Sequence, residues 1–241
     1  MLDSGSTASP GDMPGTALTR DSLASQAYAR IRRGLMNGHY LPGQKMTLRV
    51  LTDELGISPT PIREALARLV SEQALLQPDR RSVRVPDFDP ARFREVRALR
   101  LELEALGART AAQCAREEEL DALEDVHRRL VAAKAEGDFP RSLEMNERFH
   151  LELCALARMP VLLRIVEGLW LQCGPLMNAV KYLPAGVLDA HPHLVVLRGL
   201  RARDSDMAGR GIQQDIGSLD DKMIERLMRG LERSKAGNEG R

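Results

Sequence analysis

A chain of 241 residues with 43% hydrophobic side chains can bury one large core or two small ones, and its 3% aromatic content and single Trp argue against a β-sandwich or barrel. No stretch approaches the roughly 20 uninterrupted apolar residues of a membrane helix; even Val161 to Val180 is broken by Arg164, Glu167, Gln172 and Pro175. The net charge of +1 conceals a division: Ser25 to Pro86 carries ten Arg and Lys against five Asp and Glu, a net of +5, and the remainder is at −4. A basic segment joined to a longer acidic one points to a polyanion as partner of the first.

Met1 to Arg20 is rich in Ser, Gly, Thr and Pro and lacks a basic region followed by an apolar one, so it reads as a disordered leader and not a secretory signal. Cys114, Cys154 and Cys173 are odd in number, widely spaced and free of a C-x-x-C pattern, as expected of reduced thiols in a cytoplasmic protein.

Leu23 to Gly38 carries Ala27, Ile31 and Leu35 at helical spacing. A second helical pattern runs through Leu48, Leu51 and Leu55 and stops at Gly56. Ser58 then stands where it can cap a third helix, whose first turn holds Pro59 and Pro61 and which continues to about Gln73. Two short helices around a Gly56-Ile57 turn form a helix-turn-helix, with the first turn of the second helix facing a DNA groove. Leu75 and Leu76, a turn from Pro78 to Ser82, and the alternation Val83-Arg84-Val85 predict a two-stranded wing.

The stretch P-G-x-x-M-T-L-R-x-L-x-x-x-L-G-I-S-P-T-P-I-R-E-A-L-x-R-L, Pro42 to Leu69, resembles the winged helix-turn-helix of the GntR family of bacterial transcription regulators. Pro59 stands where many members place Arg, and Ser82 near where the wing usually carries Gly. The chemistry of the residues fits DNA independently. Arg63, one turn into the recognition helix, can reach guanine O6 and N7 with both guanidinium arms, whereas Ser58 and Thr60 are short donors suited to phosphates. Arg49 opens the preceding helix and would grip the backbone; Arg80, Arg81 and Arg84 of the wing would lie along the minor groove or adjacent phosphates.

An Asp-rich turn between Pro86 and Pro90 marks a linker at 87–90, dividing a DNA-binding domain over 21–86 from a second domain over 91–233, with a frayed tail over 234–241. Helical periodicity in the second domain predicts Ala91 to Cys114, Glu117 to Glu136, Pro140 to Ala157, Val161 to Tyr182, Asp189 to Arg203 and Asp204 to Arg233, packed as an antiparallel bundle. The fold class is therefore mainly all-α with a small β wing.

The polar residues on apolar faces are the informative ones. Asn146 and His150 share a face with Leu143 and Leu153, His193 with Val196, Leu197 and Leu200, and Asp215 with Ile212, Leu219 and Met223. Two imidazoles and two oxygen ligands converging from three helices suit a divalent transition metal such as zinc, nickel, manganese or iron; the alternative is that each is a hydrogen-bonded core residue. The array R-L-E-L-E from Arg100, N-x-x-F-H from Asn146 and H-L-V-V-L-x-x-L-x-x-x-D from His193 is similar to the all-helical FCD ligand-binding domain of the FadR-type branch of GntR regulators. The resemblance implies a metal held by His150 and His193, with Asn146 in the place of the usual Asp and Asp215 in the place of the last His. Arg100 lies on the stripe Phe93, Val96, Arg100, Leu103, where it either pairs internally with Glu104 or clamps a small carboxylate effector, as the resemblance implies. Tyr182, Arg148 and Gln172 are further candidates for the pocket.

These features together predict a DNA-binding regulator, not an enzyme: a homodimeric repressor of a metabolic operon that binds a palindromic double-stranded operator and responds to an organic acid. An architectural DNA binder without effector is the alternative. A metal-dependent hydrolase is disfavoured because neither H-E-x-x-H nor G-x-S-x-G occurs.

Overall fold

A computed structural model of the chain describes residues 15–79, 82–177, 191–226 and 228–230. Helix α1 (Gly15–Met36) begins inside the stretch expected to be unstructured and buries Ala27, Ile31 and Leu35. After the short strand β1 (Lys45–Met46), α2 (Leu48–Leu55) starts at Thr47, whose hydroxyl accepts the Val50 N–H at 3.3 Å. It stops where Gly56 takes the left-handed conformation with φ of 66°, which costs a glycine little. Helix α3 (Pro59–Ser71) follows, its two prolines in the first turn where no intrahelical N–H is lost.

The wing has three strands rather than the expected two. β2 (Leu76–Asp79) and β3 (Ser82–Arg84) pair antiparallel, and β1 adds to the far side of β3 through Lys45 opposite Arg84 and Met46 opposite Val83, giving the order β1-β3-β2. Two residues of β1 show too little alternation to be recognised as a strand by pattern alone.

The helical domain comprises α4 (Pro90–Cys114), α5 (Glu117–Ala135), α6 (Phe139–Leu156), α7 (Pro160–Met177), α8 (His191–Arg201) and α9 (Ser205–Gly217). Asp89, Asp138 and Asp204 cap α4, α6 and α9 by accepting first-turn N–H groups. The helix expected from Asp204 to Arg233 is broken: α9 ends at Gly217, and helix resumes at 221–226, with Asp220 accepting the Met223 N–H at 2.9 Å as a new cap. The apolar period carries straight through Leu219 and Met223, so it conceals the break.

Two cores result. One, built on Phe149, Leu153, Leu120, Leu123, Val196 and Ile212, lies among α4, α5, α6, α8 and α9. The other runs from α1 to α3 directly into α7, joining Ile31, Leu35 and Leu69 to Trp170, Leu171 and Cys173, so the DNA-binding domain and the helical domain share apolar contacts. At Gly174 a Cβ would lie 2.2 Å from the Leu35 carbonyl oxygen, so only glycine lets α7 approach the end of α1 this closely.

Candidate DNA-binding face and metal-ligand pocket

The outer side of α2 and α3 collects the residues expected to meet DNA. Arg49, Ser58, Thr60 and Arg63 are all exposed and have no partner among the described residues. Ser58 occupies the cap position of α3, but its hydroxyl makes no capping bond and remains available. Buried Ile62, Ala65, Leu66 and Leu69 hold the opposite side of α3 against α1 and α2, which fixes the direction in which Arg63 points. Arg68 is turned away: its guanidinium lies 3.7 Å from the centre of the Tyr28 ring and pairs with Glu72 at 3.1 Å. On the wing, Arg84 is half-buried and paired with Asp87 at 3.3 Å, so it is partly committed within the protein. Arg80 and Arg81 lie outside the described residues.

In the helical domain α6, α8 and α9 bring His150, His193 and Asp215 together, with one ligand atom from each within 4.8 Å of the others. His150 Nε2 lies 3.1 Å from Asp215 Oδ2, and His193 Nε2 lies 3.6 Å from Asp215 Oδ1. Both histidines are about 1% exposed, and neither His150 Nε2 nor either nitrogen of His193 has a hydrogen bond of acceptable geometry. Asp215 is not fully buried as its apolar neighbours suggested: its side chain is 19% exposed. Burial raises its pKa, but the His193 and His150 imidazoles outweigh this and hold the carboxyl well below the usual range. Asn146, one turn before His150 on α6, is half-buried and has no hydrogen-bond partner among the described residues.

Glu104 on α4 organises what lies behind this group. Completely buried, it accepts from Arg100 Nε at 2.5 Å through one oxygen and meets His150 Nδ1 at 2.6 Å through the other. Burial alone would raise its pKa; Arg100 and His150 pull it below the ordinary value instead. His150 experiences the converse, with burial lowering its pKa and Glu104 and Asp215 raising it above normal. His193, with less compensation, is pushed down mainly by burial. Arg100 is 4% exposed, stacks 3.9 Å over the Trp170 ring and donates to Cys173 Sγ at 3.5 Å. The internal ion pair with Glu104, one of its two expected roles, is formed.

Two pocket residues were missed by sequence reasoning. His127, on the buried face of α5 with Leu123 and Leu130, stands with its ring 5.6 Å from that of His193. Its pKa is lowered to about 4, chiefly by burial. The spacing Leu123, His127, Leu130 was a readable signal. Trp170, whose ring is 5.1 Å from His150 and whose indole N–H has no partner, had no comparable signal, because α7 is apolar on most sides. Arg148 instead pairs with Glu152 on the surface, Gln172 accepts from Arg92, and Tyr182 lies outside the described residues.

Comparison with known proteins agrees with both halves. Residues 23–85 match the model of the bacterial regulatory proteins of the gntR family, and residues 95–218 match that of the FCD domain. The transcriptional regulator McbR of Escherichia coli K12 is 29% identical over 199 residues, covering 80% of this chain and 90% of McbR. The repressor RspR from the same organism is 25% identical, covering 82% of this chain and 87% of RspR. The solved structure of McbR superposes with a TM-score of 0.78 at 26% identity over 86% of this chain and 97% of that one. A Rhodococcus regulator at 15% identity, covering 85% of this chain and 98% of its own, shares the fold with a TM-score of 0.70. Among the described residues no helix is long and apolar enough to cross a membrane. The chain belongs to the GntR family of transcriptional regulators, with an N-terminal winged helix-turn-helix and a C-terminal FCD domain.

Proposed function

We propose that the protein is a metabolic repressor that binds a palindromic operator as a homodimer and is released by a small organic acid bound in the FCD domain on a divalent metal. The observation that carries the reading is the convergence of His150, His193 and Asp215 with three buried imidazole nitrogens lacking hydrogen bonds. Donors within 4.8 Å of one another need only small adjustments to reach the roughly 3 to 4 Å separations that metal–ligand bonds of about 2.1 Å impose. Two imidazoles and a carboxylate fit zinc, nickel, manganese or iron, with the Asn146 oxygen as a further ligand. Such an ion supplies open coordination positions for the oxygens of an organic acid. The chain's own contribution is to aim the donors: Glu104 holds His150 Nδ1, leaving Nε2 to face Asp215, and Arg100 in turn holds Glu104. Arg100 thus serves the site through Glu104.

Two-fold symmetry of the operator requires two recognition helices at successive half-sites. A face for the second copy is available on the adjoining helices α4 and α7, where Leu99, Leu106, Val161 and Ile165 are each more than 40% exposed. The effector then acts by favouring one arrangement of the paired domains, with a coupling of about 1 to 3 kcal/mol.

Protein purified without chelator or a histidine tag is expected to contain close to one transition-metal ion per chain. Asp215→Ala loses the ion, and Asn146→Asp holds it more tightly by adding a second anionic ligand. Metal-loaded protein then leaves its operator when the right organic acid is added. Protein that holds no ion and gains no thermal stability from zinc, nickel or manganese would overturn the metal reading. A monomeric mass in sedimentation would overturn the dimer.

A further inference from the structure

The seam between the DNA-binding and helical domains contains a solvent-open cavity of about 700 Å³, walled by α1 and α3 on one side and by α6 and α7 on the other. Met36, Leu151 and Leu171 give it apolar lining. Two of its charge pairs are complete: Arg32 meets Glu167 across the seam at 3.0 Å, and Arg68 meets Glu72 at 3.1 Å. Three charged residues are not. Glu147 is 9% exposed and has neither a hydrogen bond nor an ion pair among the described residues, although it lines the cavity. Arg33 and Arg164 line the same space from α1 and α7, are exposed, and make no side-chain hydrogen bond or ion pair among the described residues, although the charge of Arg33 acts on Glu147 through space.

A buried carboxylate without a donor is costly, and the cost disappears when an incoming group supplies the missing N–H bonds. The charge arrangement restricts what that group belongs to. A simple anion would be drawn to Arg33 and Arg164 but repelled by Glu147 and Glu167; a simple cation would be drawn to Glu147 but repelled by the arginines. A molecule carrying both charges on a short apolar body satisfies all three open residues at once.

We propose that this interdomain cavity binds a small amphoteric ligand, an amino acid with an apolar side chain, whose ammonium group is taken by Glu147 and whose carboxylate is taken by Arg33 and Arg164. Both domains contribute to the walls, so the ligand binds the folded, docked chain and raises its melting temperature. The site is separate from His150, His193 and Asp215 and needs no metal.

The test is calorimetric titration and thermal melting of the full chain with alanine, valine, leucine, isoleucine and methionine, alongside isovalerate and isoamylamine, which each carry only one of the two charges. At least one amino acid is expected to bind once per chain and raise the melting temperature, with both single-charge analogues weaker by about tenfold or more. Glu147→Gln and Arg33→Gln should each weaken binding by about tenfold while melting cooperatively and binding DNA like the parent. EDTA should leave the affinity unchanged. Failure of every amino acid to bind at millimolar concentration overturns the proposal, as does binding that survives Glu147→Gln. Binding lost in EDTA overturns it too, because the ligand would then sit on the metal in the other pocket.

Discussion

The DNA-binding face and the FCD pocket place their charges in opposite surroundings. Arg49 and Arg63 are exposed with no partner among the described residues, whereas Arg100, Glu104, His150 and His193 are each at most 4% exposed, and Glu104 binds both Arg100 and His150. An exposed charge costs the fold almost nothing and acts when its partner arrives. A buried one must be satisfied inside the protein before any ligand comes, so its neighbours are part of the fold as well as of the function. Substitutions at the two places should therefore fail in different ways: loss of function without loss of stability at the first, and both together at the second.

Arg100→Met tests this contrast most severely. It leaves Glu104 buried with only His150 to compensate it, and breaking a buried pair from one side costs about 3 to 5 kcal/mol. The double variant Arg100→Met, Glu104→Gln should recover much of that loss, since no unpaired charge remains. Urea denaturation of the wild type, the single and the double variant measures the cycle. A single variant as stable as the wild type but deaf to the effector would show that Arg100 works by touching the ligand.

On the other face, Arg63→Ala should leave the melting temperature unchanged and remove about 1 to 3 kcal/mol of discrimination between operator and random DNA. Arg49→Ala should weaken all DNA binding together and lower the slope of log affinity against log salt by about 0.9. Competition titrations at several salt concentrations separate the two. Equal loss of specificity at both positions would mean that the roles of base and phosphate contact are misassigned.

The same contrast explains what was legible in the sequence. The DNA-binding face is local: Gly56, Ser58, Pro59 and Pro61 punctuate consecutive elements, so both the helices and the outward direction of Arg63 follow from one continuous stretch. The pocket is assembled from α4, α5, α6, α7, α8 and α9. His150, His193 and Asp215 could be found because each is a polar residue at an apolar period. The Arg100–Glu104 pair is one of the two roles expected of Arg100, but that Glu104 also reaches His150 could not be read, because the two residues lie 46 apart on different helices. Nor did periodicity reveal the break at 218–220 or the pairing of β1 with β3, both of which depend on contacts distant in sequence.

Glu147 lies between the two extremes, buried but without a hydrogen bond or ion pair among the described residues. Burial raises its pKa to about 7, with the charges of Arg33 and Arg32 opposing and those of Glu144 and Glu167 adding to the rise. The folded state therefore disfavours the ionised form, and stability falls as pH rises from the unfolded carboxyl pKa, about 4.3, through the folded value. Glu147→Gln carries no such penalty. Its advantage over the wild type should be small at pH 4, grow between pH 5 and 7, and level off near about 1 to 3 kcal/mol above that. Denaturation across this range measures it. A constant difference at every pH would mean that the carboxyl finds a donor in solution.

Arg201 completes the comparison from the exposed side. It meets Glu117 at 2.8 Å, Asp121 at 2.5 Å and Glu124 at 3.0 Å, three carboxylates where Arg100 has one. By number of contacts it should matter more. Its side chain is nevertheless 34% exposed, and its partners are between 50% and 70% exposed. Water screens all three pairs, and removal of the arginine leaves carboxylates that water can solvate. Arg203, which also pairs with Glu117 at 2.9 Å, still ties the end of α8 to α5. Arg201→Ala is therefore expected to cost less than about 1 kcal/mol, a difference that shrinks further in high salt. A loss above about 2 kcal/mol that persists in salt would mean that this cluster is desolvated in the assembled protein, and would place it at an interface between copies of the chain.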